Sequence, residues 1–352
     1  MAPAAFSYES LPARVVFGAG AARRRLAAEV DRLGAQRLLL ICTDGRRAQA
    51  EELIAPFADK VAGTFTAVRM HVPIEVAEQA RKAATAAEAD AILCIGGGST
   101  TGTAKAIALT SGLPILAVPT TYAGSEVTPV WGLTEGARKT TGTDVVVLPR
   151  VVVYDPELTA SMPTELAAAS GLNAMAHCVE SFWGTRRNPI SSVLAAEGVR
   201  ALANGLRGLG KDPDAPAEVL YGAYLAGVAF SGAGSGLHHK ICHALGGAFD
   251  LPHAQTHAIV LPHVLAANAP GAPEAVDRIA AALGVEDPVA GLRELARGLG
   301  VPAGLRDVGL LEDQLDEAVA LIAPVVPLDN PVPLDAVALR ALLQAAWAGG
   351  PE

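Results

Sequence analysis

The residues best able to do chemistry in this chain of 352 are its histidines, and they are unevenly placed: seven of the eight lie between His177 and His263, and only His71 lies outside. Imidazole can donate, accept, carry a proton near neutral pH or hold a metal. Within "GLNAMAHCVESFW", Asn173 and His177 are four residues apart, so both fall on one face of a helix. That spacing is used to hold metals, but iron and zinc prefer a carboxylate to the amide that stands at Asn173. Downstream, "GLHHKICHALGGAFDLPHAQTHAIVLPHV" supplies His238, His239, His243, His253, His257 and His263. His253 and His257 share a helical face, which places His257 behind its partner. His238, beside His239, points to the surface or behind the pocket, because adjacent helical residues diverge by about 100°. His263 reads as structural, and Cys178 and Cys242, which flank histidines, read as packing residues.

Glycine-rich turns come earlier. "CIGGGSTTGTAKAIAL" runs from an apolar strand through Gly96, Gly97, Gly98 and Ser99 into a helix, the arrangement that brings backbone N–H groups and a helix N-terminus to a phosphate. "VPTTYAGSEVTP" follows the next strand and offers Thr120, Thr121 and Ser125 at a strand's carboxyl end, where ligands of open α/β sheets bind. Two such loops suit a dinucleotide. Asp44, after "LLLICT", can accept from an adenosine ribose and would repel a 2′-phosphate, which favours NADH; Arg46 and Arg47 nearby relax that preference, so NADPH remains open. "FGAGAARRRL" lacks the third glycine of a dinucleotide fingerprint and reads as a tight turn.

The elements that must position these residues fall into two halves. Up to about Asp155, buried apolar runs ("RLLLICTD", "AILCIGG", "LPILAVPTT", "VVVYDPEL") alternate with helical patterns, which means βαβ units and a parallel, Rossmann-like sheet. From Pro163 the segments are long, rich in Ala and Leu, and helical in period. The expected fold is an α/β dinucleotide-binding domain over residues 1–158 followed by an all-α catalytic domain over 159–352.

Composition sets further bounds. The chain is 51% hydrophobic with a formal net charge of −9, which argues against a nucleic-acid partner. No run of about 18 residues is continuously apolar, so no membrane span is expected. The N-terminus has no basic segment followed by an apolar core, and the four cysteines form no C-x-x-C pair; both fit a cytoplasmic protein with free thiols.

The order of these motifs over the whole chain resembles the iron-containing (group III) alcohol dehydrogenases, which share the dehydroquinate synthase-like fold. The resemblance places His177, His239 and His253 where that family has histidine metal ligands, His243 at its near-catalytic histidine and Lys139 at a lysine near the cofactor ribose. Two positions depart: the family's metal-binding Asp is Asn173 and the Asp of its "GGGSxxD" loop is Gly102. With "PTTYAGSEVTPVWG", "RKTTG" and "LPHAQTH", these departures resemble the branch that reduces the carbon–carbon double bond of maleylacetate to 3-oxoadipate in aromatic degradation. The resemblance implies a homodimer, a small dicarboxylate substrate and a nicotinamide cofactor. The loss of the carboxylate implies no metal, with His243 and His253 catalytic and Asn173, His177, His239 and Tyr122 in contact with substrate. The alternatives are a metal-dependent alcohol dehydrogenase that tolerates Asn, a synthase-type lyase, which would need the missing carboxylate, and a non-catalytic dinucleotide-binding protein.

Overall fold

A computed structural model describes residues 6–11, 13–136 and 138–349, without the side chains of Arg138 and Lys139. Its contacts divide the chain into an α/β unit, residues 11–162, and a helical unit, residues 163–349 together with 6–10.

The α/β unit is built on strands β1 (Arg14–Phe17), β2 (Leu38–Ile41), β3 (Val61–Phe65), β4 (Ala91–Gly96), β5 (Ile115–Pro119) and β8 (Val151–Tyr154). They form one parallel sheet in the order β1-β8-β5-β4-β2-β3. Helices α1 (Ala21–Leu33), α2 (Arg47–Ile54), α3 (Ile74–Ala86) and α4 (Gly98–Ser111) intervene. β2, β4 and β5 are buried throughout because both sheet faces are covered. Alternation along β2 sends Leu38 and Leu40 into a cluster with Leu26, Leu93 and Ile95, and Leu39 and Ile41 into a second with Val76, Ile92 and Ile107. An antiparallel hairpin, β6 (Val130–Glu135) with β7 (Arg138–Thr143), stands apart from this sheet. Neither this hairpin nor β1 and β3 was expected from the sequence. β1 has only Val15–Phe17 as an apolar run, and β3, β6 and β7 are each interrupted by Gly and Thr.

"FGAG" is a tight turn with a physical reason. Buried Asp155 accepts from the N–H groups of Gly20 (2.9 Å) and Ala22 (3.0 Å), which occupies the first turn of α1 from within the protein. The same carboxylate caps the short helix α5 (Pro156–Thr159).

The helical unit contains α6 (Thr164–Ser181), α7 (Pro189–Gly208), α8 (Ala215–Ala233), α9 (Leu237–Phe249), α10 (His253–Asn268), α11 (Pro273–Leu283), α12 (Pro288–Gly298), α13 (Leu315–Ile322) and α14 (Ala336–Ala348). No strand occurs among its described residues. α7 starts from a capping box, in which Asn188 and Ser191 satisfy each other's backbone N–H groups. α7 and α8 then approach closely: a Cβ at Gly205 would lie 2.7 Å from the Val219 nitrogen and 3.0 Å from the Ala215 oxygen. Leu237, Ile241, Leu245, Val260 and Val264 pack with residues of α13 and α14 in one core, which fixes α9 and α10 side by side. No helix among the described residues is long and apolar enough to cross a membrane.

Candidate active site

Three helices bring the histidines together. α6 carries Asn173, His177 and Glu180 along one side at four- and three-residue steps; α9 carries His238, His239, Cys242 and His243; α10 opens at His253 and carries His257 one turn on. The rings form a contiguous group. His177 stacks on His239 with centroids 4.9 Å apart, and Phe230 of α8 lies against both, at 4.7 and 4.5 Å. His239 meets His257 at 4.9 Å and His243 at 5.9 Å. His253 sits 4.4 Å from His257 and stacks with His243 at 6.4 Å.

Exposure grades across the group. His243 is exposed and His253 half-buried, whereas His238, His239 and His257 are sealed. The two histidines expected to do catalysis are therefore among its accessible members, with His177 also partly exposed. His238 is not at the surface, one of the two placements open from the sequence: its Nε2 lies 3.0 Å from Nδ1 of His257, and the thiol of Cys242 lies 3.7 Å from the same nitrogen. One ligand atom from each of His238, Cys242 and His257 falls within 4.8 Å of the others, so this buried trio could share an ion. Sequence spacing had not singled it out, because the i, i+4 pair His238–Cys242 is completed only by a ring from another helix.

Burial also sets protonation. It pushes the pKa of His177 and of His238 down to about 3, and those of His239 and His257 well below their usual value, with neighbouring histidines adding in the same direction. His177 keeps some exposed surface, but its Nδ1 is covered. His263 is buried, and its pKa falls to about 4 through burial and then Arg293. Cys178 and Cys242 are buried free thiols whose pKa burial raises.

Five covered polar atoms in this group have no hydrogen-bond partner among the described residues: Asn173 Oδ1, His177 Nδ1, His238 Nδ1, His239 Nε2 and His257 Nε2. A buried polar atom left unpaired is costly, so such atoms mark a place for a bound molecule. The other nitrogen of His239 is engaged. Its Nδ1 lies 2.5 Å from Oε2 of Glu180, a fully buried carboxylate that also accepts from the N–H groups of Gly236 (3.0 Å) and His238 (2.6 Å). Burial pushes Glu180 up to about 7, and the backbone donors pull the other way. Sequence reasoning missed Glu180, since a single Glu in a helix reads as solvated.

The remaining expected residues belong to the α/β unit. β4 ends at Gly96, with φ near +159°, and Gly97 caps α4, whose first turn holds Gly98 and Ser99. A Cβ on Gly97 would come within 2.9 Å of the Thr121 methyl, so glycine lets the two expected cofactor loops touch. The backbone N–H of Thr120 bonds to Gly96 at 3.0 Å. Ser125 opens a short turn, and its Oγ is covered without a partner. A further residue unforeseen from the sequence holds this loop: buried Lys105 of α4 donates to the carbonyls of Ser125 (2.6 Å), Thr128 (2.7 Å) and Val130 (2.7 Å). Burial pulls its pKa down to about 7, against nearby Glu126, which itself bonds Tyr154 at 2.7 Å.

Asp44 is exposed and begins a short turn after β2. Arg46 is engaged with Gln49 and Ser161, and Arg47 with Glu51. Tyr122 is 1% exposed with its hydroxyl on Thr159, a packed placement for a residue expected to touch substrate. Lys139 pairs through its backbone with Thr134 in the hairpin, and its side chain lies outside the described residues.

Comparison with known proteins covers nearly the whole chain. Residues 12–156 match the family described as iron-containing alcohol dehydrogenase, and residues 167–347 match the C-terminal region of the Fe-containing alcohol dehydrogenase family. A maleylacetate reductase of Sphingobium indicum is 50% identical over 349 residues, 98% of each chain, and one of Burkholderia cepacia is 47% identical over 348 residues with the same coverage. Among solved structures, a maleylacetate reductase of a Rhizobium species superposes with a TM-score of 0.93 at 43% identity, covering 99% of both chains. An iron-containing alcohol dehydrogenase of Corynebacterium glutamicum reaches 0.94 at 51% identity, over 98% of this chain and 97% of that one.

Proposed function

The chain belongs to the iron-containing alcohol dehydrogenase family, and we propose that it uses NADH to reduce the carbon–carbon double bond of maleylacetate, giving 3-oxoadipate, without a metal. The observation that carries this reading is the contiguous histidine group in which an amide, Asn173, stands at the place of the family's metal-binding carboxylate.

The family implies an iron ion, and the residues at that family's ligand positions, Asn173, His177, His239 and His253, do not fit one well. The set on offer around the orphaned atoms is one amide oxygen and neutral imidazoles. An amide is a weak ligand for iron or zinc and brings no charge.

A dinucleotide does fit the glycine turn, where a side chain at Gly97 would fill the approach to Thr121. Gly97, Gly98 and Ser99 would hold its pyrophosphate; Thr120, Thr121, Ser125, Lys139 and Asp44 would hold the rest. Its reduced nicotinamide supplies a hydride.

The chain's own residues handle the charge and the proton. Reduction conjugate to a ketone builds negative charge on the ketone oxygen, and the α-carbon then needs a proton. His243, the exposed ring, donates to that oxygen or supplies the proton, and His253, stacked on it, is its partner. Asn173, His177 and His239 line the pocket and take up the polar groups of a small dicarboxylate.

The test uses protein dialysed against a strong chelator and mixed with NADH and maleylacetate, with the loss of reduced-nicotinamide absorbance followed. Turnover in the metal-stripped protein supports the reading. Turnover only after iron or zinc is added favours the metal-dependent alternative.

A further inference from the structure

Glu180 stands three residues after His177 on α6 and is fully buried. Its surroundings are built to receive a carboxylate. The His238 N–H reaches Oε1 at 2.6 Å and the Gly236 N–H reaches Oε2 at 3.0 Å, both from the start of α9. Gly236 permits this approach, since a Cβ there would lie 2.8 Å from Oε1. Backbone donors on both oxygens favour the carboxylate form of Glu180, an acceptor, and in that form the hydrogen in its third contact belongs to Nδ1 of His239. His239 then carries no hydrogen on Nε2, the covered nitrogen that finds no partner among the described residues.

We propose that Glu180 is a positioning residue: by holding the Nδ1–H of His239, it fixes the tautomer and plane of that ring and makes Nε2 the atom offered to the bound substrate. A carboxylate behind a histidine does this wherever ring orientation matters, and losing such a partner commonly costs about 10- to 100-fold in activity. The proposal rests on the pocket role given to His239 above.

Glu180→Gln tests it. The glutamine oxygen still accepts one backbone N–H, but its amide nitrogen brings a donor toward Nδ1, which can pair only if the ring hydrogen moves to Nε2. Two measurements follow on the full chain. In ¹⁵N-histidine spectra, assigned with His239→Gln, the wild-type His239 is expected to show a protonated Nδ1 and a bare Nε2, with the pattern reversed or mixed in Glu180→Gln. In steady-state kinetics with NADH and maleylacetate, kcat is expected to fall about 10- to 100-fold while KM for NADH stays within about twofold. Glu180→Asp, which keeps the acceptor on a shorter arm, should recover part of kcat and the wild-type tautomer. A wild-type His239 with its hydrogen on Nε2, or a Glu180→Gln enzyme with unchanged kcat, overturns the proposal. If the wild type does not turn over maleylacetate, the functional reading falls, and the spectra alone still decide whether Glu180 sets the tautomer.

Discussion

Acidification should unfold the helical unit earlier than its size suggests, because the fold stores neutral imidazoles. His238, His257 and His263 are all buried, and their folded pKa values are lowered, to about 3 for His238, to about 4 for His263 and well below 6.5 for His257. Released into water, each titrates near 6.5, so below that pH the unfolded chain binds protons that the folded chain refuses. Stability therefore falls as pH falls from about 6.5 towards the folded values. Between pH 7.5 and 5.5 each ring contributes a loss of about 1.4 kcal/mol, and the three together about 4 kcal/mol, set against a usual total of about 5–15. Glu180, pushed up to about 7, takes a proton in the fold over the same interval and works against His239, so that pair is left out of the sum. The assay is urea unfolding followed by tryptophan fluorescence in a Trp131→Phe background, which confines the signal to Trp183 and Trp347 of the helical unit. With a slope of about 3 kcal/mol per molar, the midpoint should fall by more than about 1 M between the two pH values. His263→Leu should remove about a third of that drop. Equal midpoints at pH 7.5 and 5.5 would refute the claim that these rings are held neutral.

Three other outcomes are expected. Asn173→Asp restores the missing carboxylate and should raise affinity for a divalent cation by tenfold or more, read by titration calorimetry with zinc, while lowering turnover of maleylacetate. The four cysteines are free and buried, and burial raises their pKa, to about 12 for Cys94, so the native protein should react slowly with Ellman's reagent and all four should react in urea. Gly205→Ala pushes a methyl into the Val219 nitrogen and the Ala215 oxygen, which as backbone atoms cannot step aside, and should destabilise the helical unit by about 1–3 kcal/mol in the same urea assay.

What was legible in the sequence follows the physics of each element. β2, β4 and β5 are continuous apolar runs because both sheet faces are covered, and such runs stand out. The hairpin β6–β7 has no such run and passed as loop. In the site, helical spacing singled out His177 beside Asn173 and the pair His253 and His257, whereas His239 and His243 were placed by the family resemblance. Glu180 and Lys105 were found by neither, for one shared reason. Each is a single charged residue in a helix, a pattern that normally means a solvated face, and only the tertiary structure reveals the donors or carbonyls that receive it. Lys105 had the better signal, because in "GTAKAIAL" it interrupts an otherwise uncharged stretch. His238 was half-read: direction from His239 was known, but burial depended on α10.

The charges of α6 connect these findings. On one side of this helix the chain carries an amide at Asn173 and a carboxylate at Glu180, two turns apart. At position 173 a carboxylate would stand among polar atoms that lack partners; at 180 it is enclosed by two backbone donors and an imidazole. On the proposed reading, the two positions answer differently to a dianionic substrate. Two carboxylates about 5 Å apart repel by about 3 kcal/mol at an effective dielectric of 20, enough to cost over a hundredfold in binding. An amide at 173 removes that repulsion at the pocket, where a cation would otherwise have offset it. The carboxylate at 180 acts through His239 and meets the substrate only as the orientation of a ring. On the proposed reading, exchanging Asn173 and Glu180 in type would reverse both effects, so Asn173→Asp with Glu180→Gln should lose more activity than either change alone.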